Sequence, residues 1–149
     1  MTPGSVNLKV VEDRLTVVSM CLAELQSLPI SDLQEFLSDR RNPASAESFL
    51  RREIQALFDA TRHILSMGFG RAALEYKEVA RLAGEKGIVA DPQLADRFGK
   101  MAGYRNRLTH FYDLVTPEEL FEILRDRLGD VRAIADALLK GATHLAKNP

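Results

Sequence analysis

The chain has no tryptophan, one cysteine and three tyrosines among 149 residues. The single cysteine, Cys21, excludes an internal disulfide and fits a reducing compartment. Scarce aromatics leave few platforms on which successive bases could stack. No apolar run approaches the ~18 residues of a membrane span, so no membrane partner is expected. Residues 1–10 show no cationic segment followed by an apolar run, so a secretory leader is not expected and the cytoplasm is the expected compartment. The three histidines, His63, His110 and His144, show no ligand spacing with one another or with the lone cysteine, so no metal is expected. Gly68-Phe69-Gly70 is too weak a signal for a phosphate cradle, and no cofactor is expected. A formal net charge of −1 argues against general coating of a polyanion, but not against a local cationic site.

What is present is helical periodicity. The length fits one domain, residues 1–149, able to build its own core. Leu8, Val11, Leu15, Val18, Leu22 and Leu25 recur at three- and four-residue steps and predict a long first helix ended by Pro29. Ser31 and Gln34 suggest a capping box for a short helix over 32–38. Asn42-Pro43 reads as N-cap and first residue of a long helix carrying Leu50, Ile54, Leu57, Phe58, Thr61, Ile64 and Leu65, stopping at Gly68. A short helix around Tyr76–Leu82 closes at Gly84 or Gly87. Asp91-Pro92 opens another long helix, with Leu94, Phe98, Met101 and Leu108 on one stripe. Thr116-Pro117-Glu118-Glu119 opens the last, which carries Leu120, Leu124, Leu128, Val131, Ile134 and Leu138. No strand alternation is visible. The expected fold is all-α, an antiparallel four-helix bundle with short extra helices.

The stretch from Arg105 to Tyr112 carries the chemistry. From Arg97 to Tyr112 the charged residues are Arg97, Lys100, Arg105 and Arg107, with no acid, so a local positive field is expected beside His110. Arg105 and His110 lie five residues apart, about 140° around an ideal helix. They cannot reach one phosphate from one straight face. Either the helix ends near Thr109, or a second copy of the chain completes the site, or both. The bland alternatives are an Arg105 bridged to a carboxylate such as Asp59, a dipole-stabilised His110 and a core Tyr112. His63 reads as a bundle histidine, Cys21 as a small buried hydrophobe, and the Arg40-Arg41 and Arg51-Arg52 pairs as solvated faces. The sequence does not place Arg52 and Arg62.

Arg105-x4-His110-x-Tyr112, with Asn106 after the arginine, resembles the signature of HepT-like toxins of the HEPN superfamily (higher-eukaryote and prokaryote nucleotide-binding). The resemblance covers nearly the whole chain. YKEVARLAGEKGIVADPQLADRFGKMAGYRN is similar to the family's short helix, turn and motif helix. YDLVTPEELFEILRDRLGDV is similar to its closing helix. The resemblance implies a helical bundle, a homodimer and a metal-independent endoribonuclease. It also implies a partner, a minimal nucleotidyltransferase antitoxin that attaches AMP to the motif tyrosine, the pair forming a type VII toxin–antitoxin system. On this chain the catalytic roles fall on Arg105 and His110, modification on Tyr112 and support on Asn106. Lys100 and Arg107 are candidates for RNA contact. The alternative is a non-catalytic HEPN module that binds nucleotide or a nucleotidyltransferase partner. The chemistry is consistent: RNA cleavage without a metal needs a base, an acid and a cation for the phosphorane. Histidine titrates nearest neutrality, and arginine offers a permanently charged fork.

Overall fold

The computed structural model describes residues 5–72 and 75–147, and these form helices and turns without a strand. Helix α1 spans Leu8–Gln26, α2 Leu33–Leu37, α3 Arg41–Phe69, α4 Tyr76–Glu85, α5 Pro92–His110, α6 Pro117–Asp126 and α7 Leu128–Lys147; a 3-10 turn covers Tyr112–Leu114. Helix α3 is the axis and touches each of the other six helices. Three of its partners show their direction. Asn7, capping α1, donates its N–H to His63 Nε2 at 2.9 Å, while Cys21, late in α1, senses the Glu53 carboxyl. Helix α1 is therefore antiparallel to α3. Phe58 stacks on Phe98 with centroids 4.5 Å apart and Gln55 bonds Arg105, so α5 is antiparallel to α3 as well. A Cβ at Gly68 would approach Leu145 to 3.1 Å, while Ile54 and Val131 line one groove, so α7 runs parallel to α3. The result is the up-down-up-down bundle expected from the periodicity. Helices α2 and α6 close one end, joined by Phe36 and Phe121 at 5.6 Å. That is also the end where α5 terminates.

Several helix ends differ from the sequence reading. Asp32, not Ser31, caps α2, because its carboxylate accepts from the Gln34 and Glu35 N–H groups at 3.0 and 3.3 Å. Helix α3 starts at Arg41, ahead of Asn42-Pro43. Asp39 receives the Arg41 N–H, and Arg41 holds the Asp39 carboxyl at about 2 through side-chain and backbone hydrogen bonds. Asn42 instead donates to the Phe36 carbonyl at 3.2 Å, tying down the end of α2. Gly68 does not stop α3. It lies within the helix, where a side chain would press on Leu145 and Val6. The stop is Gly70, at φ 63, where the Gly70 N–H donates to the Ser66 carbonyl and the Arg71 N–H to the Leu65 carbonyl. Gly87 rather than Gly84 has the positive φ beyond α4. The last predicted helix is two helices broken at Arg127. The break lets α6 pack across α2 while α7 joins the bundle. The apolar stripe runs through it unbroken, so spacing gave no sign of it.

Candidate active site

The rotation of α5 is set by its buried side chains. Asp91 caps it, accepting the Gln93 N–H at 2.9 Å, and Pro92 supplies a first residue that needs no partner. Phe98, Met101, Ala102 and Leu108 are buried. This phase turns Arg105 inward, toward α3 and α4, and turns Asn106 and His110 away. Gly99 and Gly103 share the His110 side of the helix by the i, i+4, i+7, i+11 spacing. A Cβ at either glycine would meet nothing within 4 Å, so this side of the helix is open.

Arg105 enters a half-buried polar cluster. Its Nε–H donates to Gln55 Oε1 at 3.2 Å, and its guanidinium carbon lies 4.4 Å from the centroid of the Tyr76 ring. Arg62 lies against the same ring at 4.5 Å. The Tyr76 hydroxyl donates to Gln55 Oε1 at 3.0 Å, and the Gln55 amide donates to Asp59 Oδ1 at 2.9 Å. Phe58 braces the Tyr76 ring edge-on, centroids 5.0 Å apart. No carboxylate comes within ion-pair range of Arg105 among the described residues, so the alternative of an Asp59 bridge is not realised; Asp59 acts one residue removed, through Gln55.

The other cations of this stretch are neutralised. Arg97 pairs with Asp130 at 3.0 Å, Lys100 with Asp96 at 3.4 Å. Arg107 grips Glu119 with both terminal nitrogens, at 2.5 and 2.8 Å, and also reaches the Leu114 carbonyl. The sequence lacks acids from 97 to 112, but the fold brings them in from Asp96 and from α6 and α7. These pairs reduce the local positive field expected beside His110. The Lys100 pair is solvent-exposed and weak, so its ammonium is free to exchange partners. Arg107 is committed to the structure of the turn.

Helix α5 ends at His110. Phe111, at φ −132 and ψ 38, leaves the helical path, and the 3-10 turn follows. Buried Val115 and the Arg107–Glu119 pair anchor the turn, and Thr116 caps α6 by accepting the Glu119 N–H at 3.1 Å. Phe111, Tyr112 and Leu114 are 54, 60 and 62% exposed. The Tyr112 phenol is thus presented to solvent from a braced turn. His110 is exposed and makes no hydrogen bond or ion pair among the described residues. Within one chain Arg105 and His110 are not joined: one faces the bundle, the other the solvent at the helix end. The sequence missed Gln55 and Tyr76 as members of this site, named Asp59 only as a possible direct partner of Arg105, and did not place Arg62. They lie 29 to 50 positions upstream of Arg105, on other helices, and no spacing rule connects them to it.

Among the described residues, no group of three or more histidine, cysteine or acidic side chains is placed to hold a metal ion, and no helix is long and apolar enough to cross a membrane.

The chain is similar to known proteins in sequence and in fold. A family model described as "Ribonuclease HepT-like" matches residues 18–138. The tRNA nuclease HepT of Aphanizomenon flos-aquae (strain 2012/KM1/D3) is 29% identical over 113 residues, covering 75% of this chain and 76% of that protein. The tri-AMPylated Shewanella oneidensis HEPN toxin, solved in complex with an MNT antitoxin, superposes with a TM-score of 0.76 at 20% identity, covering 86% of this chain and 95% of that one. A toxin–antitoxin structure with AMP-PNP gives the same TM-score at 19% identity, covering 87% and 97%. The four-helix bundle and the Arg105–Tyr112 motif thus sit on a chain that belongs to the HepT-like ribonuclease family.

Proposed function

We propose that this chain is the toxin of a type VII toxin–antitoxin pair: a homodimeric, metal-independent endoribonuclease, silenced when a minimal nucleotidyltransferase antitoxin attaches AMP to Tyr112. The observation that carries the reading is Arg105. Alone among the cations of the 97–112 stretch it has no carboxylate partner among the described residues, and its two terminal nitrogens are unspent. The relative that is a tRNA nuclease makes transfer RNA the first substrate to test. The tri-AMPylated relative and its antitoxin support the partner and the modification.

In this mechanism His110 of one copy takes the 2′-hydroxyl proton as the 2′-oxygen bonds to phosphorus. The P–O5′ bond breaks, and the protonated His110 of the second copy gives its proton to the departing 5′-oxygen. Arg105 holds the phosphorane charge, and Asn106, beside His110, orients the imidazole or the phosphate. The products are a 2′,3′-cyclic phosphate and a 5′-hydroxyl. The test is cleavage of transfer RNA by the purified chain in excess chelator. His110→Ala is expected to lower the rate by ~10²–10⁴-fold and Arg105→Ala by ~10²–10³-fold. Full activity in the His110 variant, or abolition by chelator, removes this mechanism. RNA binding without cleavage leaves the non-catalytic HEPN module.

A further inference from the structure

We infer that Gln55 is a positioning residue for Arg105: oriented by Asp59 and shared with the Tyr76 hydroxyl, it fixes the guanidinium while leaving its positive charge available to a phosphate. This rests on the reading of Arg105 as the phosphate-binding cation.

The hydrogen-bond arithmetic is closed. An amide oxygen has two lone pairs. Those of Gln55 take Tyr76 Oη–H at 3.0 Å and Arg105 Nε–H at 3.2 Å. The amide nitrogen is turned to Asp59 Oδ1 at 2.9 Å, one helical turn along α3. With the amide reversed, its N–H₂ would face the two donors and its oxygen the Asp59 carboxylate. Asp59 therefore sets the orientation of the amide, and the amide sets the guanidinium. The Tyr76 ring, braced by Phe58, flanks the guanidinium at 4.4 Å and limits its rotation. Arg105 spends Nε here and keeps its paired terminal nitrogens, the edge that matches two phosphate oxygens.

The identity of residue 55 separates two jobs. Arg97 and Arg107 on the same helix are each held by a carboxylate, which also offsets their charge. Gln55 is a neutral acceptor. It holds Arg105 without cancelling anything, and Asp59 supplies its charge at one remove. A glutamate at this position would keep the acceptor and lose the field; a leucine would lose the acceptor and keep the field.

The experiment measures chelator-resistant RNA cleavage by the full chain, its Gln55→Leu and Gln55→Glu variants and Tyr76→Phe, with thermal unfolding of each. Gln55→Leu is expected to lower kcat by up to ~10²-fold with KM changed little, because a misplaced fork binds the ground state but misses the phosphorane. Gln55→Glu is expected to retain more of kcat and to raise KM, since its carboxylate competes with the RNA phosphate. Tyr76→Phe, which keeps the ring, is expected to fall between the parent and Gln55→Leu in kcat. A merely structural role would move the unfolding midpoint and not split kcat from KM. The second readout is the Arg105 Nε–H resonance, assigned by its loss in Arg105→Lys: exchange with water is slow in the parent and fast in Gln55→Leu. Equal kcat in parent and Gln55→Leu, or unchanged Nε–H exchange, overturns the inference. If the parent cleaves no RNA, the proposed function falls, and the resonance alone decides whether Gln55 holds Arg105.

Discussion

Tyr76 and Tyr112 carry the same phenol and are put to different uses by burial. The Tyr76 hydroxyl is bonded to Gln55 and its ring flanked by arginines, whereas Tyr112 is 60% exposed on a turn. An enzyme that modifies a phenol can reach the second and not the first. AMP on Tyr112 adds bulk and negative charge two residues beyond His110, where an RNA phosphate would otherwise approach, so modification is expected to block RNA binding and not folding. Tyr112→Phe keeps the ring and removes the nucleophile. After co-expression with a cognate nucleotidyltransferase and ATP, intact mass is expected to show AMP on the parent only, and only the variant is expected to keep cleaving RNA. AMP on another residue, or equal silencing of the variant, would place the control elsewhere. A second residue, Glu53, is wholly buried with neither oxygen bonded among the described residues, and burial pushes its carboxyl up to about 8. The folded state then binds a proton that the unfolded state releases near 4.5. Stability is fully present below pH ~4.5 and lost as pH rises toward ~8, by a few kcal/mol in all. Glu53→Gln is expected to flatten this slope in urea melts taken between pH 5 and 8; an unchanged slope would show that other groups set it. His110 and Tyr112 were singled out in the sequence because their motif is linear. Glu53 was not: a glutamate among arginines on an amphipathic helix reads as solvated, and only packing against α1 shows otherwise.

At the scale of elements, the apolar spacing located the helices because each buries one stripe against α3 or beside it. Their ends were less legible. Capping is a contest among neighbouring polar residues: Asp32 prevailed over Ser31 through a carboxylate with the right reach, and α3 starts ahead of Asn42, with Arg40 at its N-cap and no side-chain cap. The same limit applied to charge. Sequence spacing counts cations along α5, whereas α6 and α7 supply the acids that pair with Arg107 and Arg97. This separates the two RNA-contact candidates. Arg107, clamped to Glu119 and Leu114, braces the turn that carries Tyr112. Arg107→Met is expected to cost ~1 kcal/mol or less, given its partial exposure, and to leave the salt dependence of RNA binding unchanged. Lys100, in an exposed pair with Asp96, is free to meet a phosphate. Lys100→Met is expected to reduce the slope of log K against log salt by ~0.7, the share of one phosphate on a single strand. Filter binding across a salt series reads both. A slope change with Arg107→Met and none with Lys100→Met would reverse the assignment.

At the scale of the whole molecule, the separation of Arg105 and His110 is the fact to be explained. Helical phase made it legible: five residues are about 140° apart on one helix. The structure keeps that angle, because α5 stays helical through His110 and buried Phe98 and Leu108 fix its rotation. One chain therefore offers its cation and its imidazole in different directions. A two-fold axis near the open face of Gly99, Gly103 and His110 would bring two copies of each around one cleft, across an interface expected to exceed ~1,000 Å². If both histidines serve one cleft, as base and as acid, a dimer with one His110→Ala chain is inactive. Activity after co-refolding parent with His110→Ala chains then follows the square of the parent fraction, so an equal mixture retains about a quarter of parental activity. If each chain cleaves with its own histidine, the same mixture retains about half. Light scattering fixes the oligomeric state in the same samples. A linear dependence would remove the two-histidine cleft, and a fully active monomer at micromolar concentration would mean that one chain closes the distance itself, with α5 unwinding before His110 when RNA binds.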